Sequence, residues 1–266
     1  MKMPASSRIY SSFVAPVAGR EVLWKQMAII SICLLLLLPG KLQAGSFSEE
    51  LWKLCDGDYQ QILHMPFNRE LSNGTLDEKI FKSYIVQDYF FLLNFRKTYG
   101  ILLAKSPDAE GTKFVLDSIK AIDEEINHIH QTFFKKFDIS LESLSKAVVY
   151  PHTEFYNSFL IKTATLEPFE VGLIATLPCH WIYYRLGVDM KKSGGKANNK
   201  YQEWIDGYGG QPWENSDAKR FVDLIDRYAA GASAATRERM KQTYATAVKL
   251  EYLFWDGVYR DVRWQP

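Results

Sequence analysis

The segment LPCHWIYYRLG, residues 177–187, places a cysteine beside a histidine directly after a proline. A cysteine thiolate is a common enzymatic nucleophile, and a nearby histidine is a common activating base. Free cysteine is also among the most buried side chains, so Cys179 is either a nucleophile or a small core residue. His180 is a poor base for it, because adjacent helix positions point about 100° apart. Tyr183, four residues on, shares the helix face of Cys179.

Two acidic side chains lie inside runs of aromatic and aliphatic residues. Asp88 is embedded in YIVQDYFFL, residues 84–92, where helical spacing gives it large apolar neighbours. A buried carboxylate needs a partner, so Asp88 is either a structural ion-pair residue or a group that holds a ligand. Glu251 also lies among large apolar residues, in LEYLFW, residues 250–255. It is either a functional acid or a residue on a solvated helix face. Spacing alone does not place the two acids in one cavity.

A metal site is the competing chemistry. The segment DEEINH, residues 123–128, pairs Glu125 with His128 at the spacing of half a carboxylate-bridged di-iron site. The sequence has 5 histidines, none after His180, and no second such pair. We therefore expect no metal site, and we interpret His128 as a core or inter-helix hydrogen-bonding residue.

The elements that must position these residues are helices. Large apolar residues recur every three or four positions, as in helices. No segment bounded by turn dipeptides alternates apolar and polar residues as a strand does. The sequence predicts an all-α fold, a single compact helical bundle with any ligand site between helices. Residues 75–78 (TLDE) are interpreted as a capping box at one helix start. The predicted helices are 46–64, 76–104, 107–136, 140–163, 168–192, 198–206, 214–229 and 233–259.

The composition argues against several classes of partner. The 266 residues include 32 basic and 31 acidic side chains, for a net charge of +1. This balance lacks the basic footprint of a nucleic-acid-binding protein and the polybasic run that favours an anionic membrane. Aromatic residues make up 14% of the chain, which suits the pocket of a flat small molecule.

Residues 1–44 are interpreted as a leader of the signal-peptide type. Their apolar run at 28–38 is shorter than the about 20 residues that span a bilayer, and small residues follow it up to Ala44. This pattern predicts export to the periplasm or the medium, and leaves residues 45–266 as a domain without a membrane span. The region before the apolar run is unusually long for a signal peptide, which a true start at Met27 would explain. The alternatives to export are an organelle-targeting peptide, or a cytoplasmic protein if the leader is a start-site artefact. Cys55 and Cys179 remain after the leader, too few for a disulfide framework.

Five segments resemble, in the same order, the TenA (thiaminase II) family of the cysteine-containing type. They are HMPF (64–67), FKSYIVQDYFFL (81–92), LPCHWIYYRLG (177–187), YQEWIDGYGG (201–210) and EYLFWDGVYR (251–260). The resemblance extends from about residue 47 to residue 264. It implies a fold of the heme-oxygenase-like type and assembly as a homotetramer.

The resemblance also implies an activity, that of an aminopyrimidine aminohydrolase in thiamine salvage. The reaction is hydrolysis of 4-amino-5-aminomethyl-2-methylpyrimidine, or of thiamine, to the 5-hydroxymethyl compound, with no cofactor and no metal. Cys179 is then the nucleophile and Glu251 the general acid and base. The substrate-binding residues that the resemblance implies are Asp88, Phe91, Tyr156, Tyr183 and Tyr208.

One position departs from the family pattern. Phe91 stands where members often carry a tyrosine whose hydroxyl approaches the thiol, so lower turnover or an altered substrate preference is expected. Because of this departure a second functional class stays open, that of a non-catalytic protein that binds an aminopyrimidine or thiamine. A di-metal oxidase on the same fold is the third alternative.

Overall fold

Capping side chains and prolines mark the helix starts in the computed structural model, which describes residues 45–193 and 198–265. The Asp77 carboxylate accepts a hydrogen bond from the backbone N–H of Lys79 at 2.7 Å, and the helix begins at Glu78. Asp77 is therefore the cap, and the capping box predicted from Thr75 is wrong. The predicted leader, residues 1–44, lies outside the described residues.

All regular structure in the described residues is helical, which confirms the predicted all-α class. The α-helices are α1 (Phe47–His64), α2 (Pro66–Asn73), α3 (Glu78–Lys105), α4 (Ala109–Glu124), α5 (His130–Lys136), α6 (Leu141–Lys146), α7 (Pro151–Leu166), α8 (Phe169–Ile174), α9 (Leu177–Lys192), α10 (Gln202–Gly209), α11 (Asp217–Gly231) and α12 (Ala234–Tyr259). A π-helical turn, Glu125–Ile129, joins α4 to α5, and a 3-10 turn, Trp213–Asn215, precedes α11. No helix of the described part is long and apolar enough to span a membrane.

Three of the long predicted helices are interrupted. The helix expected at 107–136 contains the π-helical turn, and the one expected at 140–163 breaks before Pro151. Proline disfavours helical backbone in the residue before it, which explains the second break. The helix expected at 168–192 breaks after Ile174 and resumes at Leu177, with a proline in its first turn. Apolar periodicity continues through all three breaks, so it does not reveal them.

The helices that carry the candidate residues pack against each other through aromatic faces. In Gly45–Pro266, which forms one compact unit, α3 packs against α4 and α7, and α12 packs against α1 and α7. The buried faces of α3 and α12 include Asp88 and Glu251 among large aromatic side chains. Both acids therefore point into the interior of the bundle.

Helices α9 and α10 approach each other at two glycines. A Cβ atom on Gly187 would lie 2.8 Å from the Cα atom of Gly209, and one on Gly209 would lie 2.8 Å from the backbone nitrogen of Val188. Side chains at either position would force the two backbones apart. This close approach places the rings of Tyr183 and Tyr208 side by side, with centroids 5.0 Å apart.

We expect Gly187→Ala to lower the free energy of unfolding by about 1–3 kcal/mol, because the new methyl group overlaps backbone atoms of α10. Gly207→Ala is the matched control, since a Cβ atom there meets nothing within 4 Å and alanine favours helix. Urea unfolding of both variants measures the difference. Equal stability of the two variants would contradict the tight helix crossing.

Candidate active site

A cavity of about 210 Å³ lies between α3, α4, α9, α10 and the start of α11. We call it the inner cavity. Four of the residues predicted for the site line it: Asp88, Cys179, Tyr183 and Tyr208. They come from α3 and from the consecutive helices α9 and α10, and α3 is distant from the other two in the sequence. The fold, and not local spacing, therefore brings Asp88 to the other three residues.

Cys179 lies in the first turn of α9 and is partly exposed to the inner cavity. Burial raises the pKa of its thiol well above the usual value, and the charges of Glu251, Glu125 and Asp88 raise it further. The positive end of the helix dipole acts in the opposite direction, but it contributes only about 0.3–1 kcal/mol. Desolvation therefore dominates, and the thiol is protonated at neutral pH.

Glu251 lies on α12 and is 1% exposed. Its Oε1 atom accepts a hydrogen bond from the hydroxyl of Tyr156 at 2.9 Å. Burial and the charge of Asp88 raise the pKa of Glu251 to about 8, although the Tyr156 hydrogen bond lowers it. Glu251 therefore holds a proton at neutral pH and has one to donate.

Tyr156 and Phe91 are buried behind the inner cavity and are not among its lining residues. Their rings are in contact, with centroids 5.0 Å apart, and Phe91 also contacts Phe254, with centroids 5.8 Å apart. In this arrangement Phe91 supports the Tyr156 ring, and Tyr156 holds Glu251. The structure thus places Tyr156 on the buried acid and Phe91 against the ring of Tyr156, while Asp88, Tyr183 and Tyr208 face the open volume.

His180 lines the inner cavity beside Cys179 but is engaged elsewhere. Its Nε2 atom is hydrogen-bonded to the hydroxyl of Tyr99 at 2.8 Å, and its ring packs against Phe95 and Phe221. Burial lowers the pKa of His180 to about 4, so the ring is neutral at pH 7. These contacts agree with the sequence argument against His180 as the base for the thiol.

Sequence reasoning missed Glu125 as a site residue. Glu125 begins the π-helical turn, lines the inner cavity and accepts a hydrogen bond from the hydroxyl of Tyr208 at 2.7 Å. The spacing of Glu125 and His128 suggested a metal site instead. His128 is exposed in the structure, so its interpretation as a core residue is wrong. Among the described residues, no group of three or more ligand-type side chains is arranged for a metal ion.

The segment around Glu125 separates the inner cavity from a larger one. The outer cavity, of about 730 Å³, is lined by residues of the same helix and turn, among them Asp123, Glu124 and His128. Four residues line both cavities: Ala121, Glu125, Gly207 and Tyr208. The Tyr208–Glu125 hydrogen bond therefore lies at the boundary between the two.

The model of the TENA/THI-4/PQQC family matches residues 52–261. This chain belongs to the TENA/THI-4/PQQC family. One relative, the aminopyrimidine aminohydrolase of Bacillus subtilis, is 27% identical over 82% of this chain and 92% of its own length. The aminopyrimidine aminohydrolase of Halalkalibacterium halodurans is 24% identical over 82% of this chain and 98% of its own length.

Solved structures agree on the fold. The TenA homologue from Pyrococcus furiosus superposes with a TM-score of 0.73 at 25% identity, and the match covers 80% of this chain and 99% of that chain. A domain from Shewanella denitrificans with a heme oxygenase-like fold superposes with a TM-score of 0.61 at 12% identity, covering 82% and 94% of the two chains. The expected heme-oxygenase-like fold of this TENA/THI-4/PQQC member is confirmed.

Proposed function

We propose that this protein is an aminopyrimidine aminohydrolase of thiamine salvage, which uses Cys179 as nucleophile and Glu251 as acid. The observation that carries the proposal is a cavity that contains Cys179 and Asp88, with a carboxyl group behind it whose pKa lies near 8. Two relatives similar over more than four-fifths of the chain are named for this activity. The substrates are 4-amino-5-aminomethyl-2-methylpyrimidine and thiamine.

The inner cavity suits an aminopyrimidine. The Asp88 carboxylate is an acceptor for the exocyclic amine, and aromatic rings line the remaining wall. The rings of Tyr183 and Tyr208 already contact each other at 5.0 Å between centroids. A pyrimidine therefore stacks against one side of this pair and does not lie between the two rings, which would require a wider gap.

The first chemical step is addition of the thiol across a C=N bond of the pyrimidine. The Cys179 sulfur bonds to the ring carbon next to the substituted one, and Glu251 gives its proton to the ring nitrogen. The thiol proton passes to Glu251 and replaces the proton that Glu251 has donated. Both groups start in the protonated form that their surroundings favour, so the step needs no preformed thiolate.

The second step expels the leaving group. Electrons from the ring nitrogen move toward the 5-methylene carbon, the C–N bond breaks, and its electron pair leaves with the amine or the thiazole. Water then adds to the methylene carbon. The sulfur–carbon bond breaks, the sulfur recovers a proton, and the hydroxymethylpyrimidine is released.

We expect Cys179→Ser to lower hydrolysis of the aminomethylpyrimidine at least about 10²-fold, because a serine hydroxyl is a far weaker nucleophile than a thiol. Cys55→Ser is the matched control, since Cys55 is buried in α1 and does not line the inner cavity. Product formation is measured by chromatography. Full activity of the Cys179 variant would exclude the nucleophile assignment.

We expect kcat/KM to fall as pH rises through about 8, because Glu251 must be protonated to act as the acid. Tyr156→Phe removes a hydrogen bond that lowers the pKa of Glu251, so the alkaline limb should move to higher pH in this variant. A pH profile of both proteins measures the shift. Activity that rises through pH 8 would mean that Glu251 acts first as a base.

Phe91 favours a second candidate function, an aminopyrimidine-binding protein without turnover. Its ring packs on Tyr156 and offers no hydroxyl to the thiol. This alternative requires saturable binding by calorimetry together with no detectable product. The hydrolysis assay on the unmodified protein distinguishes the two functions directly.

We propose that the chain assembles as a homotetramer. Large apolar side chains are exposed on the surface, including Leu141 at 81%, Leu166 at 70% and Phe155 at 58%. Assembly would bury such side chains, and the number of four chains follows from the resemblance to the family. Light scattering of the purified protein is expected to give the mass of four chains, and the mass of one chain would contradict the proposal.

A further inference from the structure

A chain of hydrogen bonds behind His180 determines which nitrogen of its ring carries the proton. The Thr176 hydroxyl donates to the backbone carbonyl of Leu173 at 2.8 Å, so its single proton is used there. Toward the Tyr99 hydroxyl, 3.0 Å away, the Thr176 oxygen is therefore the acceptor. The single proton of Tyr99 is used in that bond, so in the 2.8 Å contact with His180 the Nε2 atom is the donor. His180 accordingly carries its proton on Nε2.

The other ring nitrogen of His180, Nδ1, is a hydrogen-bond acceptor. A neutral imidazole that is protonated on Nε2 has a lone pair on Nδ1. Burial lowers the pKa of His180 to about 4, so this lone pair is present at neutral pH. The ring is partly exposed and lines the inner cavity beside Cys179, and its Nε2 atom is used by Tyr99. Nδ1 is therefore the ring nitrogen that is left to accept a hydrogen bond from an occupant of the cavity.

Tyr99 and Thr176 act only through His180. Both are fully buried, and neither lines the inner cavity. The rings of Phe95 and Phe221 pack against His180, with centroids 5.9 and 5.2 Å from that of the imidazole. The hydrogen bonds fix the tautomer and the aromatic contacts hold the ring, so the acceptor has a set position before a substrate binds.

The geometry points to His180 as the residue that binds the attacking water and takes its proton in the second chemical step. This inference rests on the proposed function. The 5-methylene carbon is bonded to the ring carbon next to the one that the Cys179 sulfur attacks, so it lies near the first turn of α9. His180 follows Cys179 in that turn and lines the same cavity. Its Nδ1 atom thus offers an acceptor to a water molecule beside the methylene carbon.

The electrons and protons of this step balance. The water oxygen bonds to the methylene carbon, and the electrons of the exocyclic double bond return through the ring to its nitrogen. One O–H bond of the water breaks, and the proton goes to Nδ1, which makes a transient imidazolium. This proton then passes to the ammonia that has left, or to solvent when the leaving group is a thiazole. The low pKa of His180 favours the second transfer, which restores the neutral ring.

Single-turnover kinetics separates this role from a structural one. With enzyme in excess, the free leaving group reports the expulsion step, and hydroxymethylpyrimidine reports the addition of water that follows. His180→Gln keeps an amide N–H for Tyr99 but has no acceptor in the place of Nδ1. We expect this variant to release the leaving group within about twofold of the normal rate, and to form hydroxymethylpyrimidine about 10²-fold more slowly, the lower end of what a positioned base contributes.

His64→Gln is the matched control. His64 is exposed on α1 and does not line the inner cavity, so both rates should stay unchanged. Equal slowing of both steps by His180→Gln would mean that His180 only shapes the cavity, and unchanged rates would also overturn the inference. If the unmodified protein forms neither product, the proposed function fails and this role fails with it.

The tautomer of His180 is measured without substrate, by the nitrogen chemical shifts of the histidine rings in NMR. We expect a proton on Nε2 and none on Nδ1 at pH 7. Tyr99→Phe removes the acceptor for Nε2, so the signal that this variant shifts is that of His180. A proton on Nδ1 would overturn the inference even in an active hydrolase, and this measurement decides the point if His180→Gln does not fold.

Discussion

The arrangement of this site depends on the burial of two groups that ionise, the Glu251 carboxyl group and the Cys179 thiol. Burial disfavours the charged form of an acid, and each negative charge disfavours the next. These effects raise the pKa of Glu251 to about 8 and the pKa of the Cys179 thiol well above its usual value. A protonated acid and a neutral nucleophile are the forms needed to add a thiol across a C=N bond. The desolvation that costs stability thus sets up the chemistry.

Aromatic packing and one close helix crossing maintain this desolvated environment. Tyr156 holds the carboxyl group of Glu251 from α7, and Phe91 on α3 supports the Tyr156 ring. On the other side of the cavity, the approach of α9 to α10 brings Tyr208 against Tyr183, and the Tyr208 hydroxyl holds Glu125. The helices therefore supply both the shape of the cavity and the hydrogen bonds that orient its acids.

Much of this fold could be predicted from the sequence, because helical periodicity survives in every long segment. The breaks before Pro151 and Leu177 could not be placed, since apolar spacing runs through them. Cys179, Asp88, Tyr183 and Tyr208 follow from the resemblance to a family, but their meeting in one cavity depends on tertiary packing. The sequence singled out Glu125 only as a possible metal ligand, because a π-helical turn changes the face on which it lies and no spacing rule for a regular helix reveals such a turn.

The protonation state of Glu251 in the free protein is the central claim of this account. Infrared spectroscopy of the carboxyl stretch, with Glu251→Gln as the reference, measures it without substrate or turnover. A band of a protonated carboxylic acid should be present at pH 7, absent in the variant, and lost as pH rises through about 8. A Glu251 that is already ionised at pH 7, with no such band, would contradict the account.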